Sequence, residues 1–136
     1  MNSAWDDDAP TGPDYLAPTS VEEALQLLAE FGDEAKLVGG AQSLGVFLRQ
    51  GLIAPRHLIG LRKIAELAEM AATPDGGLTI GAMVTQHALA TADVIRARFA
   101  GLAEASAAVA SPPVRRQGTI GGNLAHADPS GDPPAP

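Results

Sequence analysis

The chain has 136 residues, 46 % of them hydrophobic but only 4 % aromatic, and nine basic against sixteen acidic side chains give a net charge of −7. That allows one modest domain, or two small subdomains sharing a core, built on Ala, Leu, Ile and Val rather than on rings. The negative field opposes nucleic acid and anionic membrane surfaces, and the absence of cysteine excludes disulfides, a thiol nucleophile, thiolate zinc sites and an all-Cys iron–sulfur cluster in this chain.

Residues 1–14, with Asp6-Asp7-Asp8, Pro10 and Pro13, read as a flexible acidic arm. The arm lacks the basic-then-apolar order of a secretory leader, and no apolar run is long enough to span a bilayer, so a cytoplasmic location is expected. Tyr15-Leu16-Ala17 reads as a short strand before Pro18. Ser20 and Glu23 form a capping-box pattern, and Val21, Ala24, Leu25, Leu28 and Phe31 recur at helical spacing, which predicts one buried face; Gly32 marks the stop.

Ala35–Val38 is an apolar strand running into Gly39-Gly40, and Ser43 to about Arg49 returns as a helix. His57–Leu61 is another strand, and Ile64, Leu67 and Met70 mark a helical turn and a strand entry. Pro74-Asp75-Gly76-Gly77 is a turn, and Leu78–Ala82 a strand. Thr85 caps a helix to about Thr91; Asp93–Phe99 and Leu102–Val109 read as helices, the second ended by Ser111-Pro112-Pro113. The order indicates an α+β or α/β architecture, with a first subdomain over residues 15–72, a second over 73–136, and the turn at 73–77 as their border. No internal repeat is visible.

Two glycine motifs carry the chemistry. The segment Gly118-Thr119-Ile120-Gly121-Gly122-Asn123, continuing to Asp128 and Asp132, is too irregular for an ordinary helix or strand. Its glycines permit positive φ and close approach to a ligand, Thr119 and Asn123 add hydrogen-bonding groups, and successive amides in such a turn form an anion nest. Far upstream, Gly39-Gly40-Ala41-Gln42-Ser43 joins a strand to a helix, which gathers backbone amides at one point. Taken alone, that first motif reads first as a tight strand–helix turn. It fits neither G-x-G-x-x-G nor the P-loop spacing, and it holds no Lys or Arg. An anion there would be bound by amides and hydroxyls, which suits an intact pyrophosphate rather than a phosphoryl group in transfer. Two such loops suggest one extended phosphate-containing ligand held from both sides.

Asp128 and Asp132 are either acceptors for ribose hydroxyls and amides or loop-forming Asx residues. Arg115-Arg116 reads as a solvated pair, with phosphate or partner contact as the alternative. His57, His87 and His126 have no metal-site spacing, Trp5 in the arm marks no site, and no Ser/His/Asp constellation supports nucleophilic catalysis; neither catalytic nor metal-binding residues are expected.

At these two motifs the chain resembles the FAD-binding medium subunit of molybdenum hydroxylases, the group that includes carbon monoxide dehydrogenase and xanthine dehydrogenase. The resemblance runs from about Tyr15 to the C-terminus. It rests on Pro18, Glu22-Glu23-Ala24-Leu25, Val38–Gly45, Leu58-Ile59-Gly60-Leu61, Leu78-Thr79-Ile80-Gly81-Ala82 and, most specifically, Gly118–Asp132. It implies a two-subdomain α+β fold of the PCMH type, with the second subdomain incomplete in this chain. Gly39, Gly40, Ala41, Gln42 and Ser43 would bind the FAD pyrophosphate. Thr119, Ile120, Gly121, Gly122 and Asn123 would line the opposite side of the cofactor, with Asp128 and Asp132 at its polar contacts. It further implies a large molybdenum (molybdopterin) subunit and a small subunit carrying [2Fe-2S] clusters, from which the flavin would relay electrons to NAD, a quinone or another acceptor. Ala41 departs from the family pattern, Ala-Gly-Gly-Gln-Ser, by placing a Cβ where glycine is usual. The alternative readings are a truncated or degenerate homologue that contacts partner subunits without flavin, and a nucleotide-binding domain unrelated to flavin.

Overall fold

A computed structural model describes residues 12–130. Three short strands, β1 (Asp14–Leu16), β2 (Ala35–Val38) and β3 (His57–Gly60), form a parallel sheet in the order β1-β3-β2, with Leu16 and Leu37 both opposite Ile59. Parallel neighbours need crossover connections. Helix α1 (Val21–Phe31) supplies the first and α2 (Leu44–Arg49) the second. Residues 1–11 of the expected arm lie outside the described residues, and Asp14 already belongs to β1.

The capping signal at α1 holds, with one shift. Ser20 Oγ accepts from the Glu23 amide at 3.1 Å, but the Glu23 carboxylate accepts from the amide of Thr19, at 2.8 Å, rather than from that of Ser20. Gly32 ends the helix at φ +51, in the left-handed region that favours glycine. The buried face differs from the periodic expectation. Ala24 is buried, with Val21, Leu27, Leu28 and Phe31 against it, whereas Leu25 is 58 % exposed. Ala24, Ala35, Ile59 and Ile64 form the first core cluster, with Leu16, Leu61 and Leu67 packed on it.

The chain then changes core. Strands β4 (Met70–Ala72) and β5 (Leu78–Ile80) pair antiparallel, and the turn between them closes through Thr73, Gly76 and Gly77. The Thr73 hydroxyl and the Gly77 amide donate to Asp75 and hold its carboxyl below the usual carboxylate range. The turn at 73–77 therefore lies inside a hairpin rather than between two bodies: Met70, Leu78 and Ile80 all pack on the second cluster, of Val84, Leu89, Ile95 and Ala103. The change of core falls between Leu67 and Met70.

Helices α3 (Gln86–Thr91), α4 (Asp93–Arg98) and α5 (Ala100–Ala108) enclose that second cluster. The Thr85 hydroxyl caps α3 by accepting from the Ala88 amide at 3.1 Å. Two further helices were not expected. Pro112-Pro113 follows the end of α5 but also opens α6 (Pro112–Gln117), because proline lacks only an amide that a first helical turn leaves unpaired. The second glycine motif is itself helical, as α7 (Ile120–His126).

Candidate functional site

The three parallel strands end at one edge of their sheet. Val38 and Gly60 are register partners there, so the loop after β2 lies beside the turn after β3. Gln42 Nε2 donates back to the Gly40 carbonyl at 2.8 Å and braces the loop. Ala41 takes φ +57, the left-handed region that favours glycine, so its Cβ is held under backbone strain. An L-residue there costs about 1–2 kcal/mol, partly offset because Ala restricts the unfolded chain more than Gly does. Ala41→Gly is therefore expected to raise unfolding free energy by roughly 0.5–1 kcal/mol, read from the midpoint of chemical denaturation.

The first loop keeps its donors free. The Gly45 amide donates to Ala41 O at 2.8 Å, and those of Val46 and Phe47 donate to Ser43 O. The amides of Gly40, Ala41, Gln42, Ser43 and Leu44 find no acceptor among the described residues. The Ser43 side chain caps nothing and remains half-buried beside them.

The second motif does the reverse. Ile120 N donates to Val84 O at 2.9 Å, Gly121 N to Ala82 O at 2.9 Å, Gly122 N to Thr119 Oγ1 at 3.1 Å and Asn123 N to Thr119 O at 3.0 Å. The expected amide nest therefore does not form at 120–123. The first two amides instead anchor α7 on the segment that follows β5, and the other two close its first turn on Thr119. None of Gly118, Gly121 and Gly122 has positive φ. Close packing is what requires glycine at 121, where a Cβ would lie 2.6 Å from Ala82 Cβ and 2.7 Å from Ala82 O. The left-handed residue is Ala127, φ +52, which closes α7. Thr119 is buried and bridges Thr85, and Ile120 packs its side chain into the second core. Asn123 Oδ1 is buried with no donor among the described residues. Asp128 is exposed and accepts from the Ser130 amide at 2.9 Å, the Asx turn; Asp132 lies outside the described residues.

The two motifs touch. Gly40 is buried so tightly on the Gln117 backbone carbonyl that a Cβ there would overlap it, and that Cβ would also lie 2.8 Å from Gly118 Cα. A Cβ on Gly39 would lie 3.0 Å from Thr119 Oγ1 and 3.6 Å from Met83 Sδ. Arg62 donates to Gln117 Oε1 at 2.8 Å, and the rings of Phe47 and His126 stand 5.6 Å apart. Free amides of one loop, the buried Thr119 and the unpaired Asn123 oxygen are thus carried on one junction. Sequence reasoning did not assign Ala82, Met83, Val84, Arg62 or Gln117 to the site; Gln117, adjoining the second motif, and Ala82, closing the segment Leu78–Ala82, had a positional signal.

The remaining polar residues have structural uses. Arg115 donates to the carbonyls of Val109 and Ala110 at 2.8 and 3.2 Å and so clamps the turn before α6. His57 stacks on Phe31 at 3.9 Å, with Asp14 Oδ2 3.6 Å from its Nδ1, while His87 is exposed on α3. Among the described residues no cluster of His, Asp or Glu is arranged to hold a metal, and no helix is long and apolar enough to cross a membrane.

Residues 9–136 match the family described as the FAD binding domain in molybdopterin dehydrogenase. The carbon monoxide dehydrogenase medium chain of Hydrogenophaga pseudoflava is 41 % identical over 123 residues, 90 % of this chain and 42 % of that one. The 6-hydroxypseudooxynicotine dehydrogenase complex subunit alpha of Paenarthrobacter nicotinovorans is 39 % identical over 125 residues, 92 % of this chain and 42 % of that one. The solved carbon monoxide dehydrogenase from Hydrogenophaga pseudoflava that lacks the Mo-pyranopterin moiety superposes with a TM-score of 0.87 at 40 % identity, over 93 % of this chain and 44 % of that one. This chain spans less than half the length of these relatives. A mixed α+β fold with two glycine motifs joined at one edge, matched over nearly its whole length, belongs to the family of FAD-binding domains of molybdopterin dehydrogenases.

Proposed function

We propose that this chain binds FAD as part of the medium subunit of a molybdenum-containing dehydrogenase. The observation that carries the reading is the pairing of unspent amides at Gly40–Leu44 with the buried, unpaired Asn123 Oδ1 across a tight junction. The residues fit the group. FAD offers a pyrophosphate, which needs donors, and ribityl and ribose hydroxyls, which need acceptors. The loop Gly39, Gly40, Ala41, Gln42, Ser43 supplies the donors, and the Asn123 carbonyl supplies an acceptor. Thr119, Gly121 and Gly122 hold the platform under them, while Ile120 anchors it to the core. Asp128 and Asp132 serve as further hydroxyl acceptors, and Asp128 Oδ2 can do so while Oδ1 keeps its bond from the Ser130 amide.

Bound FAD would supply the redox chemistry, taking electrons from molybdenum and iron–sulfur subunits and passing them to NAD, a quinone or another acceptor. This chain's residues bind and orient; none is assigned a proton to move. A large molybdenum subunit and a small iron–sulfur subunit are the proposed partners, and the cytoplasm the proposed location. The alternative, a truncated or degenerate homologue that contacts partner subunits without flavin, drew on Ala41 and on the missing part of the fold; Ala41 adopts a φ open to glycine, which weakens the first of these grounds.

The test is a titration of the purified chain with FAD, followed by quenching of flavin fluorescence and by visible absorbance after gel filtration. Saturable quenching with co-eluting flavin is expected. A chain that leaves FAD fluorescence unchanged and elutes colourless overturns the proposal for this polypeptide.

A further inference from the structure

We infer that Arg62 and Gln117 form a positioning pair that sets the spacing of the two cofactor loops; this rests on the FAD reading. Arg62 lies in the turn Leu61–Lys63 immediately after β3, the middle strand of the parallel sheet. Gly60 and Val38 are register partners, so Arg62 and Gly40, each two residues further on, leave the sheet at the same edge. Arg62 Nη2 donates to Gln117 Oε1 at 2.8 Å across 55 residues of sequence. The backbone carbonyl of the same Gln117 is the surface on which Gly40 rests. Gln117 is thus held at both ends by the first subdomain, its carbonyl under the donor loop and its side chain by the guanidinium. It also immediately precedes Gly118, which ends α6, and Thr119, the N-cap of α7.

The other approaches between the loops are undirected: a Cβ on Gly39 would lie 3.0 Å from Thr119 Oγ1, one on Gly118 3.7 Å from Gln42 Cγ, and the rings of Phe47 and His126 stand 5.6 Å apart. Those set how closely the loops can approach but not how they slide. A directional bond from a charged donor restrains sliding, and cofactor-binding constellations tolerate only about 0.5 Å of misplacement. Both side chains are exposed and neither belongs to a core cluster, so the bond contributes little to global stability. Its effect falls on the register between the amides at Gly40–Leu44 and the oxygen of Asn123.

The test compares Arg62→Ala, Gln117→Ala, the double variant and Arg62→Lys with the parent chain. In the FAD-free protein, heteronuclear NOE values of the amides at 39–44 are expected to fall in both alanine variants, with the melting temperature nearly unchanged. FAD dissociation constants are expected to rise about five- to tenfold in each single variant, the size of one ordinary exposed hydrogen bond. The double variant should bind no worse than either single one, and Arg62→Lys should recover part of the loss. A loss in Arg62→Ala with none in Gln117→Ala would show that the guanidinium meets phosphate directly and would overturn the pair. Additive losses, unchanged NOE values, or a melting temperature that falls in proportion to the affinity would overturn it as well. The NOE measurement needs no cofactor, so it judges the pair even in a chain that takes up no FAD, an outcome that sinks the FAD reading itself.

Discussion

Gly40→Ala is expected to abolish measurable FAD binding and to lower the unfolding free energy by about 2 kcal/mol, within the range for one extra carbon forced into a packed site. The reason is steric rather than conformational. Gly40 does not have positive φ, so alanine suits its backbone. Its missing Cβ, however, points at the Gln117 carbonyl and at Gly118 Cα, which are backbone atoms and cannot swing aside as a side-chain end would. Relief requires the first loop to lift off the second motif. That lift separates the free amides from Asn123 and pulls on Gln117, hence on the bond from Arg62. Both readouts matter. A thermal melt reports the overpacking, and a fluorescence titration reports the separation. A variant that melts with the parent and binds FAD equally well would show that the junction is looser than this contact requires.

The same junction explains why some of the fold and site was legible in the sequence and some was not. Elements with a cap and a period read well: Ser20 and Glu23 bound α1, Ala35–Val38 is a strand ending at the glycines, and Thr85 starts α3. Each is decided by residues within a few positions of one another. Helices α6 and α7 read poorly because their local signals favour breaks. Pro112-Pro113 stops one helix while starting the next, and Gly121-Gly122 weakens a helix that tertiary contact nevertheless selects. The glycine at 121 is required by Ala82, a residue far away in the chain.

The division of labour between the motifs was hidden for the same reason. From composition alone both loops could offer amides to an anion. Which amides stay free depends on Ala82 and Val84 presenting carbonyls to Gly121 and Ile120, and on no carbonyl among the described residues reaching residues 40–44. Pairing the motifs across the chain was legible, since each is rich in glycine beside hydroxyl and amide side chains. That Gln42 braces Gly40 while Asn123 stays unpaired was not, because both lie equally well in a polar loop on paper. Leu25 shows the limit of periodicity on its own: helical spacing put it on the buried face with Leu28, but Leu27 packs on the core in its place.

Leu89→Ala is expected to cost about 3 kcal/mol, since the side chain is fully buried among Val84, Ile95 and Ala103 and its removal leaves a cavity beyond the lost transfer energy. Against a total of about 5–15 kcal/mol that is a large share, and the midpoint of urea unfolding should fall with little change in slope. Leu89 is also tied to the cofactor platform. It lies on α3, whose capping residue Thr85 bridges Thr119 and whose first residue, Gln86, donates its amide to Gly118 O at 2.9 Å. The loss therefore reaches FAD binding by loosening the second motif as a body, not by altering its shape. Excess cofactor should restore much of the stability, because a ligand at 100 times its dissociation constant adds about 2.7 kcal/mol to a native state that can still bind it. Gly40→Ala should gain nothing from the same excess, its native junction being the part that is damaged. Equal rescue of the two variants by FAD would overturn the assignment of Gly40 to the binding junction; rescue of neither, where the parent chain is stabilised, would overturn the view that Leu89→Ala leaves the site intact when folded.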